Sequence, residues 1–348
     1  MSASIVIGLV QFTRGLNLTR QRHADRKARV GAVAMGARQH TTEAKDWQIF
    51  PYAAGLLQAY AQRHAQSRDR MAFLPILHAP VSAAEAAEAL SSADLVAFSC
   101  YVWNIERSLE VARLVKARRP GTVILAGGPQ VPDHAEAFLR ENPAIDLACH
   151  GEGERTFAHI VDRAPRRAWQ EIDGVSFLDE GRFVHRPPAP RLKDLDQVPS
   201  PYLEGVFDPL IAADPLRKWL MLWETNRGCP FGCTFCDWGS AVASKVYPFD
   251  RARLEAELRW FAALEGEFIF CCDANFGILP RDVELARTAA EVKARTGFPL
   301  TLSVQNTKNA TERSYQVQRT LANAGMNAGV TLSLQSTDAH TLKSVKRD

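Results

Sequence analysis

Asp94-Leu95-Val96-Ala97-Phe98-Ser99-Cys100, Thr122-Val123-Ile124-Leu125-Ala126 and Ile145-Asp146-Leu147-Ala148-Cys149 are three short apolar runs separated by segments of helical composition. A strand covered on both faces reads as a continuous apolar run, not as an alternation, so these runs predict buried parallel strands. Two similar runs, Ile5 to Val10 and Ala72 to Leu77, precede them. Helices are expected at Tyr52 to Arg63, opened by Pro51, and at Ala83 to Leu90, Ile105 to Ala117, Pro132 to Arg140 and Glu154 to Val161. Five strands alternating with helices predict an α/β fold, an open doubly wound parallel sheet of Rossmann-like type.

Ligands of such sheets lie beyond the carboxyl ends of the strands. Three segments fall there: Ser99-Cys100-Tyr101-Val102-Trp103-Asn104, Gly127-Gly128-Pro129, and His150-Gly151-Glu152-Gly153-Glu154. Glycine permits close backbone approach to a large ligand, and Tyr101 and Trp103 offer flat apolar surface with polar edges. Each segment also has a plain reading as a turn or a core aromatic. No G-x-G-x-x-G follows the first strand, so a dinucleotide fingerprint is absent.

A small hairpin is expected within residues 171–186, around Gly181, and a proline-rich stretch runs from Pro187 to Pro215. Proline disfavours helix interiors and central strands, which makes this stretch the candidate boundary. The expected division is residues 1–165, residues 166–215 as hairpin and linker, and residues 216–348.

The second region opens on Trp219-Leu220-Met221-Leu222-Trp223 and then Cys229-Pro230-Phe231-Gly232-Cys233-Thr234-Phe235-Cys236. Thiolates suit zinc, copper(I) and iron-sulfur clusters, and so short a loop can wrap three sulfurs around one cluster. Three thiols leave one metal position open for a substrate, whereas a structural zinc site closes with four. A zinc knuckle would need His150 or Cys272, neither at ribbon spacing; disulfides and inert buried thiols are the other readings.

After the loop, a helix at Arg251 to Leu264, strand Phe268 to Cys272, helix Asp282 to Arg295, strand Leu300 to Gln305, helix Glu312 to Ala324 and strand Gly329 to Gln335 are expected. Polar residues mark the strand ends: Asp273 with Asn275, Gln305 with Asn306, and Gln335 with Ser336. In β/α barrels that end carries the active site, and a complete barrel takes about 250 residues. The residues after 215 suffice for four strand-helix units, so the expectation is a partial, truncated barrel.

A net charge of +3 implies neither nucleic acid nor an anionic membrane as partner. With no apolar run near the roughly 20 residues that span a bilayer, a cytoplasmic setting is the default. The basic segment Arg14 to Arg29 reads as a solvated loop or an anion-binding one.

The C-x3-C-x2-C loop, together with Asn226-Arg227-Gly228 before it and Asp237-Trp238-Gly239-Ser240 after it, resembles that of the radical S-adenosylmethionine enzymes. The preceding domain, with Gly127-Gly128-Pro129 and Gly151-Glu152-Gly153-Glu154, is similar to the cobalamin-binding domain fused to one branch of them. The resemblance implies that Cys229, Cys233 and Cys236 hold a 4Fe-4S cluster whose fourth iron chelates S-adenosylmethionine. Phe235 then contacts adenine, and Asp273 and Asn275 stand where the family receives the cofactor's ammonium, although the usual glycines are missing. Ser303, Gln305, Ser333 and Gln335 are candidate ribose or carboxylate contacts by position. Ser99, Tyr101, Trp103 and Asn104 join both glycine segments as candidate cobalamin contacts. A D-x-H-x-x-G motif, which would supply a lower histidine ligand, is absent.

The implied activity is methylation of an unactivated carbon of a small molecule or peptide, with an electron donor such as flavodoxin or ferredoxin. Alternatives are a cobalamin-assisted rearrangement or oxidation, RNA methylthiolation, and a sensor without turnover. Methylthiolation would bring three further cluster cysteines in the first domain, where only Cys100 and Cys149 occur.

Overall fold

The computed structural model describes residues 4–13, 47–236, 238, 244–308, 311–327, 330 and 333–347. The basic segment Arg14 to Arg29, and Asp237, Gly239 and Ser240 of the cysteine-loop motif, lie outside the described residues.

Strand β1 (Ile5–Val10) is followed by β2 (Gln48–Ile49), helix α1 (Tyr52–His64), β3 (Met71–Phe73) and α2 (Ala83–Ala89). Next come β4 (Leu95–Ser99), α3 (Ile105–Arg118), β5 (Val123–Gly127), α4 (Glu136–Glu141), β6 (Leu147–Cys149) and α5 (Gly153–Arg163). Five of these strands form a parallel sheet in the order β3-β1-β4-β5-β6. Successive side chains of a strand point to opposite faces, which explains the continuous apolar runs. Leu95, Ala97, Val123, Leu125 and Leu147 share one core with Phe157 and Ile160 of α5. Val96, Phe98, Ile124, Ala126 and Ala148 share the opposite core with Ala86 of α2, Val111 of α3 and Leu139 of α4.

The strand expected at Ala72 to Leu77 is shorter, ending at Phe73. Pro75 has no N–H to give to a ladder, and pairing resumes only as an isolated bridge between Val10 and Leu77. The hairpin forms as β7 (Val175–Asp179) and β8 (Arg182–His185), and it extends the same sheet because β7 pairs antiparallel with β6. The proline-rich stretch is packed, with Leu192, Val198, Tyr202, Phe207 and Leu210 buried.

The second region contains β9 (Trp219–Trp223), β10 (Asn226–Arg227), β11 (Tyr247–Pro248), α6 (Arg251–Ala263), β12 (Phe268–Cys271), α7 (Arg281–Thr296), β13 (Thr301–Ser303) and α8 (Glu312–Asn323). Its parallel sheet has the order β13-β12-β9-β2. The edge beside β9 is therefore occupied by a strand from the amino-terminal part of the chain. Phe50, just after β2, stacks on Trp219 with ring centroids 4.2 Å apart, and Tyr202 donates to the Leu222 carbonyl at 2.6 Å. One continuous core results, shared by α1, the proline-rich stretch and β9.

The strand expected at Gly329 to Gln335 is not formed by its described residues: Val330 and Ser333 to Gln335 carry no ladder, and Gly329, Thr331 and Leu332 lie outside the described residues. Val330 and Leu334 are exposed, without the covering layer that favours pairing at a sheet edge. Among the described residues no helix is long and apolar enough to cross a membrane.

Candidate functional site

The order β3-β1-β4-β5-β6 reverses direction between β1 and β4, and a crevice at such a switch point is where open α/β sheets bind ligands. A cavity of about 510 Å³ opens there. Its first wall is Gln11 after β1, Ser99 and Tyr101 after β4, Gly127 and Gly128 after β5, and Gly151 to Glu154 after β6. The facing wall comes from the second sheet: Leu222, Glu224, Asn226 to Gly228, Cys272 and Ala274. Segments more than 70 residues apart in sequence thus share one chamber.

Gly128 has φ +106°, and a Cβ there would stand 2.6 Å from the Cys100 carbonyl oxygen. Only glycine lets the turn after β5 lie this close to the end of β4. Tyr101 and Trp103 stack with centroids 4.6 Å apart, and Trp103 is half exposed outside the chamber lining. Asn104 is buried and fully engaged, accepting from Tyr101 N at 2.7 Å and donating to the carbonyls of Ser99 and Phe12. It pins the loop. Pro129 does not line the chamber.

The glutamates of the Gly-Glu-Gly-Glu segment are held by protein groups. Glu152 accepts from Leu192 N at 2.7 Å and Arg191 Nε at 3.2 Å. Glu154 accepts from Arg227 Nη2 at 2.6 Å, and Arg227 Nε also donates to Glu224 at 3.0 Å. Burial alone would raise the Glu154 carboxyl, but the Arg227 guanidinium prevails and holds it below the usual carboxylate range.

Beyond Arg227, Gly228 has φ +120°, and a Cβ there would collide with the Lys245 carbonyl oxygen. This turn admits the chain into the cysteine loop. Cys229 and Cys233 are buried and Cys236 partly so, all as free thiols. Donors face their sulfurs: Asn275 Nδ2 reaches Cys229 Sγ at 3.2 Å, while Lys308 Nζ lies 3.7 Å from Cys233 Sγ and 3.9 Å from Cys236 Sγ. Donors of this kind are the outer-sphere partners that metal-bound sulfur takes. Burial pushes the Cys100 and Cys149 thiols up to about 12 and raises Cys271 and Cys272 as well, so these four suit the protonated state. Among the described residues, no three His, Cys, Asp or Glu side chains converge tightly enough to hold a single metal ion. The fit of the loop to a cluster therefore rests on its soft donor set and the two donors aimed at it.

Asp273, a candidate for the ammonium of S-adenosylmethionine, is buried and faces the segment before the cysteines. One oxygen accepts from Thr225 N at 2.7 Å and Asn226 N at 3.2 Å, the other from Asn226 Nδ2 at 2.7 Å and the Thr225 hydroxyl. Burial pushes its carboxyl up to about 7 despite these bonds. Asn275 is better placed, since its Oδ1 is buried without a partner while its Nδ2 holds Cys229. An orphaned acceptor beside a candidate cluster thiol fits an ammonium donor. The Gln305 carbonyl accepts from Phe276 N at 2.7 Å, which brings the ends of β12 and β13 together, with Ser303 half-buried on β13 and Gln305 exposed. Phe235 is about half exposed; Ser333 and Gln335 are exposed and outside any strand.

Sequence reading missed Gln11, Tyr52, Glu224 and Lys308. Glu224 had a usable signal, being the first residue beyond a strand's carboxyl end. Tyr52 had none, because its helix is placed by tertiary packing against α5 and by the neighbouring pairing of β2 with β9.

Residues 54–161 match the family described as B12 binding domain. That domain stands before a three-cysteine loop on a second parallel sheet, and over most of its length the chain is similar to cobalamin-dependent radical S-adenosylmethionine methyltransferases. Among curated relatives it is similar to 2-(S-pantetheinyl)-carbapenam-3-carboxylate methyltransferase of Streptantibioticus cattleyicolor, 42% identical over 303 residues that cover 86% of this chain and 44% of the relative. It is similar also to the cobalamin-dependent radical SAM methyltransferase TokK of Streptomyces tokunonensis, 39% identical over 321 residues, 90% of this chain and 47% of the relative. The chain spans about half the length of these relatives. In fold it matches TsrM of Kitasatospora setae, a radical S-adenosylmethionine methyltransferase, with TM-score 0.66 and 16% identity over 99% of this chain and 61% of that one. It likewise matches the cobalamin-dependent S-adenosylmethionine radical enzyme OxsB, with TM-score 0.65 and 17% identity over 99% of this chain and 46% of that one.

Proposed function

We propose that the protein is a cobalamin-dependent radical S-adenosylmethionine methyltransferase acting on an unactivated carbon of a small molecule. The single observation that carries this reading is the chamber itself, whose walls are the carboxyl ends of a B12-type sheet on one side and the approach to the cysteine loop on the other. Cys229, Cys233 and Cys236 would hold a 4Fe-4S cluster, Asn275 and Phe235 would contact S-adenosylmethionine, and the Gly127-Gly128 and Gly151 to Glu154 segments would cradle cobalamin. When bound, the cluster supplies an electron for cleaving S-adenosylmethionine to a carbon-centred radical, and cobalamin supplies a transferable methyl group.

The protein's own contribution is position. Gly128 keeps the chamber floor open, Asn104 fixes the aromatic loop, and Asp273 fixes the segment from which the cysteines emerge. Leu56, Leu125, Phe157 and Leu222 give the chamber an apolar lining. In this reading residues 1–165 present the cobalamin face and residues 216–348 the cluster face, in the cytoplasm, with a flavodoxin or ferredoxin as electron source.

Incubation of the anaerobically reconstituted protein with S-adenosylmethionine, cobalamin, reductant and carbapenam-type substrates tests the reading. Expected products are 5'-deoxyadenosine and S-adenosylhomocysteine in parallel with a methylated compound. Formation of 5'-deoxyadenosine with substrate turnover but without S-adenosylhomocysteine would replace methyl transfer by rearrangement or oxidation.

A further inference from the structure

The Arg227 guanidinium lies two residues before the first cysteine, yet its shortest ion pair reaches across to the other domain, to Glu154 at 2.6 Å. Both side chains are nearly inaccessible, at 10% and 6% exposure. Glu154 sits in the first turn of α5, directly after the glycine segment that walls the chamber. Glu224, at the end of β9, holds the guanidinium from its other side at 3.0 Å, and the cation lies 5.7 Å from the centre of the Phe249 ring. Arg227 Nη1 has no hydrogen-bond partner among the described residues, so the two carboxylates carry the group's side-chain hydrogen bonds. A surface pair would add little, but a desolvated one transmits displacement, because separating its charges leaves each buried and unpaired.

We propose that Arg227 is a positioning residue, a strut through which occupancy of the cobalamin cradle at Gly151 to Glu154 fixes the cysteine loop entered at Gly228. The inference rests on the reading that cobalamin occupies the chamber. A ligand that orders the glycine segment orders α5's first turn, hence Glu154, hence Arg227 and the loop two residues beyond. Linkage makes the effect reciprocal, so a loop ordered by its cluster tightens the cradle by the same factor. Glu224 belongs to the same segment as Arg227 and carries no signal between the domains.

Hydrogen exchange of the full chain, without cluster, in the presence and absence of saturating hydroxocobalamin tests the strut. In the parent, amides in residues 223–236 are expected to exchange about fivefold or more slowly with hydroxocobalamin, in the ordinary range of coupling between two sites. In E154Q the protection at residues 99–154 persists, and that at residues 223–236 disappears. E136Q, which breaks the exposed Glu136–Arg140 pair outside the chamber lining, keeps both. Equal protection of residues 223–236 in parent and E154Q would overturn the strut, as would a parent that binds hydroxocobalamin with no protection there. Equilibrium dialysis separates the two readings, since a parent that does not bind hydroxocobalamin at all fails the cobalamin reading first. Should E154Q not fold by circular dichroism, E154D, which withdraws the carboxylate by one methylene, is read in the same way.

Discussion

Asn275 donates from Nδ2 to the Cys229 sulfur at 3.2 Å, and its own Oδ1 is left buried without a partner. One side chain thus touches a candidate cluster ligand and offers an acceptor beside it. In N275A the reconstituted protein is expected to retain iron about tenfold more weakly, as for the loss of an outer-sphere partner. Its reduction potential should fall, because a hydrogen bond to sulfur stabilises the reduced, more negative cluster. An EPR-monitored redox titration checks the sign, and an unchanged potential would remove Asn275 from the site.

Asp273 anchors Thr225 and Asn226 through both oxygens, in full burial. Replacement by alanine leaves several buried donors without an acceptor, each costing roughly 1–3 kcal/mol. D273A is therefore expected to lose about 3 kcal/mol of stability, read from urea denaturation. D273N keeps one acceptor oxygen and should lose less. If D273A melts like the parent but loses S-adenosylmethionine binding, Asp273 contacts the cofactor directly instead.

His78 packs against Trp219, its ring 5.3 Å from the indole, with Nδ1 buried and unpartnered. Burial lowers its pKa to about 4, and Arg217 adds to the shift. The folded state binds a proton less readily than the unfolded chain, so His78's contribution is full above pH 6.5 and is lost as pH falls toward 4. At one pKa unit per 1.36 kcal/mol the loss is at most about 3 kcal/mol. H78Q should flatten this part of the stability profile, measured by denaturation at pH 7 and pH 4.5. A profile of unchanged slope would mean that His78 titrates alike in the folded and unfolded states, and that burial does not depress it.

The first sheet was legible because burial on both faces writes an apolar run for each strand, and Leu95 to Phe98 and Val123 to Ala126 show it plainly. The cysteine loop was legible from spacing alone. What could not be read was the pairing of Gln48 and Ile49 with β9, since a two-residue strand leaves no periodicity and its partner lies about 170 residues away. For the same reason the sequence did not reveal that Tyr52 lines the chamber. Glu152 and Glu154 were legible as a motif, but their engagement with Leu192 and Arg227 depends on tertiary contacts that no local pattern encodes. The strand expected at Gly329 to Gln335 followed from apolar alternation, and Val330 and Leu334 instead stay exposed.

In the proposed function, Cys229, Cys233 and Cys236 carry an iron-sulfur cluster open to S-adenosylmethionine beside a cobalamin chamber. EPR spectroscopy of the anaerobically reconstituted, dithionite-reduced protein, before and after addition of S-adenosylmethionine, tests it most directly. A 4Fe-4S signal is expected that shifts on addition and is absent when all three cysteines are replaced by alanine. A signal indifferent to S-adenosylmethionine, or one that survives the triple replacement, would contradict it.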